Sequence, residues 1–191
     1  KVEELMGVKI EKPCYTVIWT TTPWTIPANQ AINMHPDLSY ALVDCGDKYL
    51  ILGTNLVEDC LKRYKLEGKI VGETNGKNLD HVRFMHPFSQ LHEGFKRFSP
   101  VFLGEYVEAT SGTGVVHSAP AYGLDDFVSC KANGMTNDQI LNPVMGNGVY
   151  ADWLPLFGGL NIWKAQPKIV DTMRVAGVLL NCEMIQHSYM H

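Results

Sequence analysis

The chain has 191 residues, of which 46% are apolar and 19% charged, with a net charge of −4. That is long enough for a real core and ordinary for a globular protein, and the acidic balance argues against a generic nucleic-acid binder, which carries a basic excess. No run approaches the roughly 18–20 apolar residues needed to cross a bilayer, and the five widely spaced cysteines, without a Cys-x-x-Cys pair, exclude an obvious zinc or redox couple and read as free thiols in a reducing cytoplasm.

The N-terminal KVEELMGVKIEKP is charged and does not read as a signal peptide. CYTVIWT (14–20) is β-branched and aromatic, so it reads as a strand. SYALVDCGDKYLILG (39–53) reads as a hairpin around Gly46-Asp47. Thr54 is placed to cap a helix with Leu56, Val57, Cys60, Leu61 and Tyr64 along one face. KIVGET, PVFLG, YVEAT and GVVHSAP are expected as short strands. Asp125 to Asn133 is expected as a helix closed by Gly134. Pro167 suits the first turn of a helix running to Ala176, and VLLNCEMIQHSY (178–189) is expected as a closing strand. Many short strands and few helices, without βαβ alternation, predict a mixed α/β domain built on a curved or barrel-like sheet. Neither a Walker loop nor Gly-x-Gly-x-x-Gly occurs, so nothing in the chain points to ATP.

Two stretches concentrate the chemistry. TVIWTTTPWT (16–25) runs from an apolar strand into three consecutive hydroxyls and fixes the turn with Pro23. SGTGVVHSAPAYGLDDF (111–127) leads from a Gly-Thr-Gly turn to His117, then through a Pro/Gly loop to adjacent acids at a helix start. On a helix, Asp125 and Asp126 point about 100° apart, so only one can face a given pocket. Each piece alone has a plain structural reading: threonine is a good strand residue, and acids complement a helix N-terminus. His81, His86 and His92 are spaced by five and six, which matches no compact zinc motif, so no metal is expected. The basic run LKRYKLEGK reads as a solvated helix face.

Taken together, WTTTPWTIPAN (19–29) and GTGVVHSAPAYGLDDF (112–127) resemble the editing domain of isoleucyl-tRNA synthetase, the insert in the class I enzymes for Ile, Val and Leu. RFMHPF (83–88) and EMIQHSY (183–189) resemble the same family, so the likeness covers nearly the whole chain. The valyl and leucyl relatives have Arg where Thr22 stands and an acid where Trp24 stands. The signatures of the aminoacylation site are absent. The resemblance therefore implies a single β-barrel-centred editing domain over 1–191 with peripheral helices, a piece of a larger enzyme whose ends (roughly 1–13 and 186–191) lead to the catalytic body.

The implied activity is hydrolysis of Val mischarged onto isoleucine tRNA, with Val-adenylate a possible second substrate. The implied partners are the tRNA acceptor end and the rest of the synthetase; no cofactor, no membrane contact and a monomeric fragment are expected. Residue by residue, the resemblance makes Asp126 the anchor of the substrate's ammonium group and His117 the group that excludes Ile. Thr20, Thr21 and Thr22 would bind the terminal adenosine and position water. Thr25 would line the amino-acid pocket with Trp19 as an apolar wall, and Asn29 matches a residue implicated in editing, with Gly112, Thr113, Gly114, Ala119 and Tyr122 as further substrate contacts. Ala121-Tyr122-Gly123 departs from the Gly-His-Gly of many bacterial members, and Tyr122 is a poor proton-transfer group at neutral pH. The competing readings are a valyl-type domain that removes Thr, a non-catalytic module that grips the acceptor end, and a purely structural insert.

Overall fold

The computed structural model describes residues 1–183. Eight strands form two four-stranded sheets. The first has the order β1 (Cys14–Thr16), β4 (Tyr49–Gly53), β3 (Ser39–Asp44), β5 (Lys69–Asn75). The second has the order β6 (Arg83–Met85), β7 (Phe98–Leu103), β2 (Ala31–Met34), β8 (Val115–Ser118). Both sheets mix parallel and antiparallel pairs: β1 runs parallel to β4 and β2 parallel to β7, and the remaining neighbours are antiparallel. Ile32, Met34, Val101 and Val115 of the second sheet share one core with Tyr40, Leu42, Tyr49 and Ile51 of the first. This is the expected mixed α/β, sheet-centred domain with helices outside: α1 (Val2–Met6), α2 (Val57–Tyr64), α3 (Leu124–Ala132) and α4 (Ile162–Val175).

A second core lies under α4, where Ile162, Ala165, Ile169 and Met173 face Phe88, Phe95, Tyr150 and Phe157. These spacings of three and four place one helix face inward. Tyr40 ties the sheets together. Its hydroxyl donates to the Gly114 carbonyl at 2.5 Å and accepts from the His35 N–H at 2.9 Å, with the ring fully buried.

Several elements differ from the sequence reading. The strand at 14–20 stops at Thr16, because the threonines beyond it bond to one another and to local backbone rather than to a neighbouring strand. YVEAT is a turn: the Gly104 N–H bonds back to Met34 and the Val107 N–H closes onto Gly104. Thr54 does not cap α2. Its hydroxyl lies 2.8 Å from that of Ser39, and a short 3₁₀ turn, Thr54–Leu56, leads into the helix instead. The cap of α4 is Asn161, which accepts from the Trp163 N–H at 2.9 Å; Pro167 sits inside the helix on its exposed side, where the missing N–H faces solvent. Residues 178–183 form no strand, and the rest of that expected strand lies outside the described residues.

Removing the Tyr40 hydroxyl tests the link between the sheets. Tyr40→Phe strands a buried carbonyl and a half-buried N–H, each costing ~1–3 kcal/mol. Urea unfolding is expected to show a loss of about 2–6 kcal/mol, from those two groups together.

Candidate functional site

Pro23 opens a 3₁₀ turn, Pro23–Ala28, that carries the chain from the threonine run into β2. The Thr22 carbonyl accepts both the Thr25 N–H at 3.0 Å and the Thr25 hydroxyl at 2.9 Å, which locks the first residues of the turn. β8 pairs antiparallel with β2, setting His117 opposite Ile32. That register brings the His117 ring beside the residues just ahead of β2. Its Nε2 lies 2.9 Å from Thr25 Oγ1 and its Nδ1 lies 2.7 Å from Asn29 Nδ2. Both ring nitrogens are therefore engaged. Burial lowers the imidazole to about 4, so the ring is neutral at physiological pH.

Asp126 occupies the first turn of α3. Its Oδ2 accepts the Ala119 N–H at 3.1 Å, two residues beyond His117 on the same strand end. Burial raises its carboxyl above the ordinary value, while the Ala119 N–H pulls the other way. Among the described residues no cation pairs with it. Asp125 is exposed, so the two acids separate as the helix geometry requires. A Cβ at position 123 would lie 2.7 Å from Asp126 Oδ2, so glycine is what leaves the carboxylate its place.

The threonines divide into two groups. Thr20 Oγ1 accepts the Thr22 N–H at 3.0 Å and lies 3.2 Å from the Thr22 hydroxyl, while Thr21 and Thr22 are exposed. Thr25 is buried and turned inward to His117. Trp19 is 55% exposed and packs against Gly112, where a Cβ would meet its Nε1 at 2.2 Å. The left-handed φ of 72° at Gly112 also requires glycine.

Other sequence-derived contacts serve the framework. Thr113 is 1% exposed and its hydroxyl is spent on the backbone of Val115, so its side chain is not available to a substrate. The burial comes from the Gly-Thr-Gly turn docking on β4, where the Gly53 N–H donates to the Thr113 carbonyl at 2.8 Å. Gly114 packs against Gly53 and gives its carbonyl to Tyr40. Ala119 contributes its N–H to Asp126. Tyr122 donates to Asn142 Oδ1 at 2.8 Å, accepts the Val144 N–H at 3.0 Å and packs edge-on against Trp24 at 5.1 Å, holding a loop over the turn.

The three spaced histidines diverge. His86 is buried under the turn, with Nε2 2.9 Å from the Ile26 carbonyl and Nδ1 accepting the Phe88 N–H. His81 and His92 are exposed, and no metal-binding cluster forms among the described residues. Sequence reasoning passed over Arg97 and Ser99, which approach Asn29 from β7 and the residue before it. A lone Arg-x-Ser in a strand carries no signal of its own.

No family model matches the chain. It is 58% identical over 180 residues to isoleucine–tRNA ligase of Cupriavidus pinatubonensis, a match covering 94% of this chain and 19% of that protein. It is 60% identical over 182 residues to the same enzyme of Azoarcus sp. BH72, covering 95% and 19%. By fold it resembles the CP1 domain of a leucyl-tRNA synthetase (GlLeuRS-CP1) at a TM-score of 0.74 and 14% identity, over 97% of this chain and 90% of that one. The editing domain of the P. falciparum cytosolic leucyl-tRNA synthetase follows at 0.62 and 9%, over 87% and 79%. The chain belongs to the isoleucyl-tRNA synthetase family, and its fold is that of the leucyl-tRNA synthetase editing domains. It spans about a fifth of the length of its ligase relatives, 19%. Among the described residues no helix is long and apolar enough to cross a membrane.

The buried histidines give this domain a defined acid sensitivity. His86 is pushed down to about 3 and His117 to about 4, each chiefly by burial, against an ordinary value of 6.5. Between those values and 6.5 the unfolded chain binds protons that the folded chain refuses. Stability is thus full above pH 6.5 and falls on acidification, by about 1.4 kcal/mol per pH unit for each fully excluded proton; the raised Asp126 carboxyl opposes this in part. Thermal unfolding of the chain is expected to show a falling midpoint from pH 7 to 5, with a shallower fall in His86→Gln. An equal slope in that variant would show that His86 does not contribute.

Proposed function

We propose that this domain acts as a second sieve, hydrolysing the ester of Val on isoleucine tRNA and sparing Ile. Val and Ile differ by one methylene, worth only ~1–3 kcal/mol in an apolar site, so a synthetic site alone discriminates roughly 10–200-fold. A hydrolytic site that admits the smaller side chain multiplies that ratio. The observation that carries the proposal is Asp126, a partly buried carboxylate without a cation, held by Ala119 at the end of the strand that carries His117. It suits the α-ammonium of an aminoacyl ester, which would supply the missing charge.

In this reading the neutral His117 ring, fixed through both nitrogens, forms the wall that an extra methyl group would strike. The exposed Thr21 and Thr22 hydroxyls, with Thr20 behind them, offer donors and acceptors without fixed charge for the terminal ribose and a water. Thr25 acts through the ring rather than on the substrate. Among the described residues no evident general base stands out, so positioning and local electrostatics supply the rate. The 191 residues are a single editing domain of an isoleucine–tRNA ligase, with the acceptor end of the tRNA and the rest of the synthetase as partners; Val-adenylate is a second candidate substrate.

The test is deacylation of Val-tRNA and Ile-tRNA, both on isoleucine tRNA, by the chain at high concentration and by the full synthetase that carries it. Selective loss of Val is expected. Asp126→Ala is expected to slow it about 100-fold, the equivalent of a charged hydrogen bond of ~3 kcal/mol. His117→Ala is expected to raise Ile-tRNA hydrolysis about 10-fold, one methylene's worth of lost exclusion. Full Val-tRNA hydrolysis by a folded Asp126→Ala variant rules out the anchor.

A further inference from the structure

The ring of His117 is oriented by a chain of hydrogen bonds that ends, in both directions, on backbone carbonyls. At one end Asn29 Nδ2 donates to the Ala31 carbonyl at 3.1 Å and to His117 Nδ1 at 2.7 Å. At the other, the Thr25 hydroxyl donates to the Thr22 carbonyl at 2.9 Å. Carbonyls only accept, so each link between them has a determined direction. The amide of Asn29 must present nitrogen to Ala31, hence nitrogen to the ring. Nδ1 is then the bare acceptor, and Nε2 carries the proton that it donates to Thr25. Adding a proton at Nδ1 would set N–H against N–H.

The remaining groups on Asn29 come from the Arg97 to Ser99 segment. The Ser99 hydroxyl, 1% exposed, donates to Asn29 Oδ1 in a short bond. Arg97 sends Nη2 to the carbonyls of Pro27 at 2.7 Å and Asn29 at 3.0 Å, and Nε to Asn29 at 3.2 Å. Among the described residues no carboxylate pairs with this guanidinium. A half-buried arginine bonded only to carbonyls fixes the path of the backbone there, a task for a planar fork rather than a point charge. Ser99 holds the side chain of Asn29 and Arg97 holds its main chain, and neither approaches His117 or Asp126 by any hydrogen bond.

We propose that Ser99 and Arg97 are positioning residues of the editing site: they hold Asn29 in the one orientation that fixes His117 as the Nε2–H tautomer and so sets the wall that separates Val from Ile. The specificity part rests on the editing reading above; the tautomer part does not.

The experiment reads the imidazole nitrogens of His117 by NMR in the ¹⁵N-labelled chain, for wild type, Ser99→Ala and Arg97→Met, together with Val-tRNA and Ile-tRNA deacylation by the synthetase carrying the same changes. Wild type is expected to show one pattern, Nδ1 bare and Nε2 protonated. Each variant is expected to loosen the Asn29 bond to the ring, moving the Nδ1 resonance from its wild-type position while the Thr25–Thr22 link keeps Nε2 protonated, and to reduce the Val-over-Ile preference about 10-fold. A folded variant that keeps the wild-type nitrogen pattern overturns the proposal. A changed pattern with an unchanged preference overturns its specificity half. Ser99→Ala removes a single oxygen and carries the test if Arg97→Met fails to fold. The nitrogen readout needs no tRNA, so a wild-type protein inert towards Val-tRNA counts against the editing reading while the spectrum still decides the positioning.

Discussion

The antiparallel register between β2 and β8 is the constraint on which the site depends. It sets His117 across from Ile32, and thereby beside the turn that delivers Thr25 and Asn29. A slip of one residue would exchange the two faces of β8. The imidazole would leave Thr25 and Asn29, and Val116 would replace it. Such a slip is resisted because Val115 is buried in the shared core and Ser118 is buried against Asn33, so both ends of the short strand are pinned by unlike environments.

Two asparagines carry that register outward to the functional groups. Asn29, just ahead of β2, bonds to the His117 ring. Asn33, inside β2 and fully buried, accepts from Ser118 at 2.6 Å and donates to Ser129 on α3 at 2.8 Å. The second contact ties the helix that bears Asp126 to the strand beside the one that bears His117. A buried amide left with an unmade bond is costly, so each asparagine accepts only one arrangement of its neighbours. His117 and Asp126 are thus indexed to the same four-residue strand, which is buried along its whole length.

The sequence made some of this legible and hid the rest for physical reasons. The β3–β4 hairpin, α3 and the mixed α/β class follow from apolar alternation around a glycine turn, from helix-length apolar spacing and from the many short strands, whereas the division into two sheets does not. β2 escaped notice because AINM is too short to display a period and is buried on both faces, so no alternation survives. The threonine run misled in the opposite sense: its composition is that of a strand, yet its hydroxyls satisfy nearby backbone groups and make a turn. His117, Asp126 and the threonines stood out as residue types able to do chemistry. Arg97 and Ser99 did not, because their contribution is a contact made across about 70 residues of sequence, the separation |i−j| of 68 to 70 to Asn29. Thr113 looked like a site residue and is a framework one, since a Gly-x-Gly turn has the same local sequence whether it faces a ligand or a neighbouring strand.

The charge distribution around the site gives the arrangement its chemical sense. His117 and His86 are held neutral, the threonines and asparagines carry no charge, and Arg97 is turned to backbone carbonyls on the far side of Asn29. Asp126 is left as the carboxylate of the site, at a position where burial raises the cost of its ionisation and no cation offsets it. Asp125, the adjacent acid, adds to that cost from its exposed place on the helix, so the surround favours a positive group at Asp126. An aminoacyl ester brings one cation, its ammonium group, at a fixed distance from the ester carbonyl. On the proposed reading, pairing that cation with Asp126 would orient the ester relative to the hydroxyl run and the side chain relative to His117 in one step. With a second carboxylate among the threonines the ammonium would have two places to go, and on the proposed reading the side chain would no longer meet the same wall.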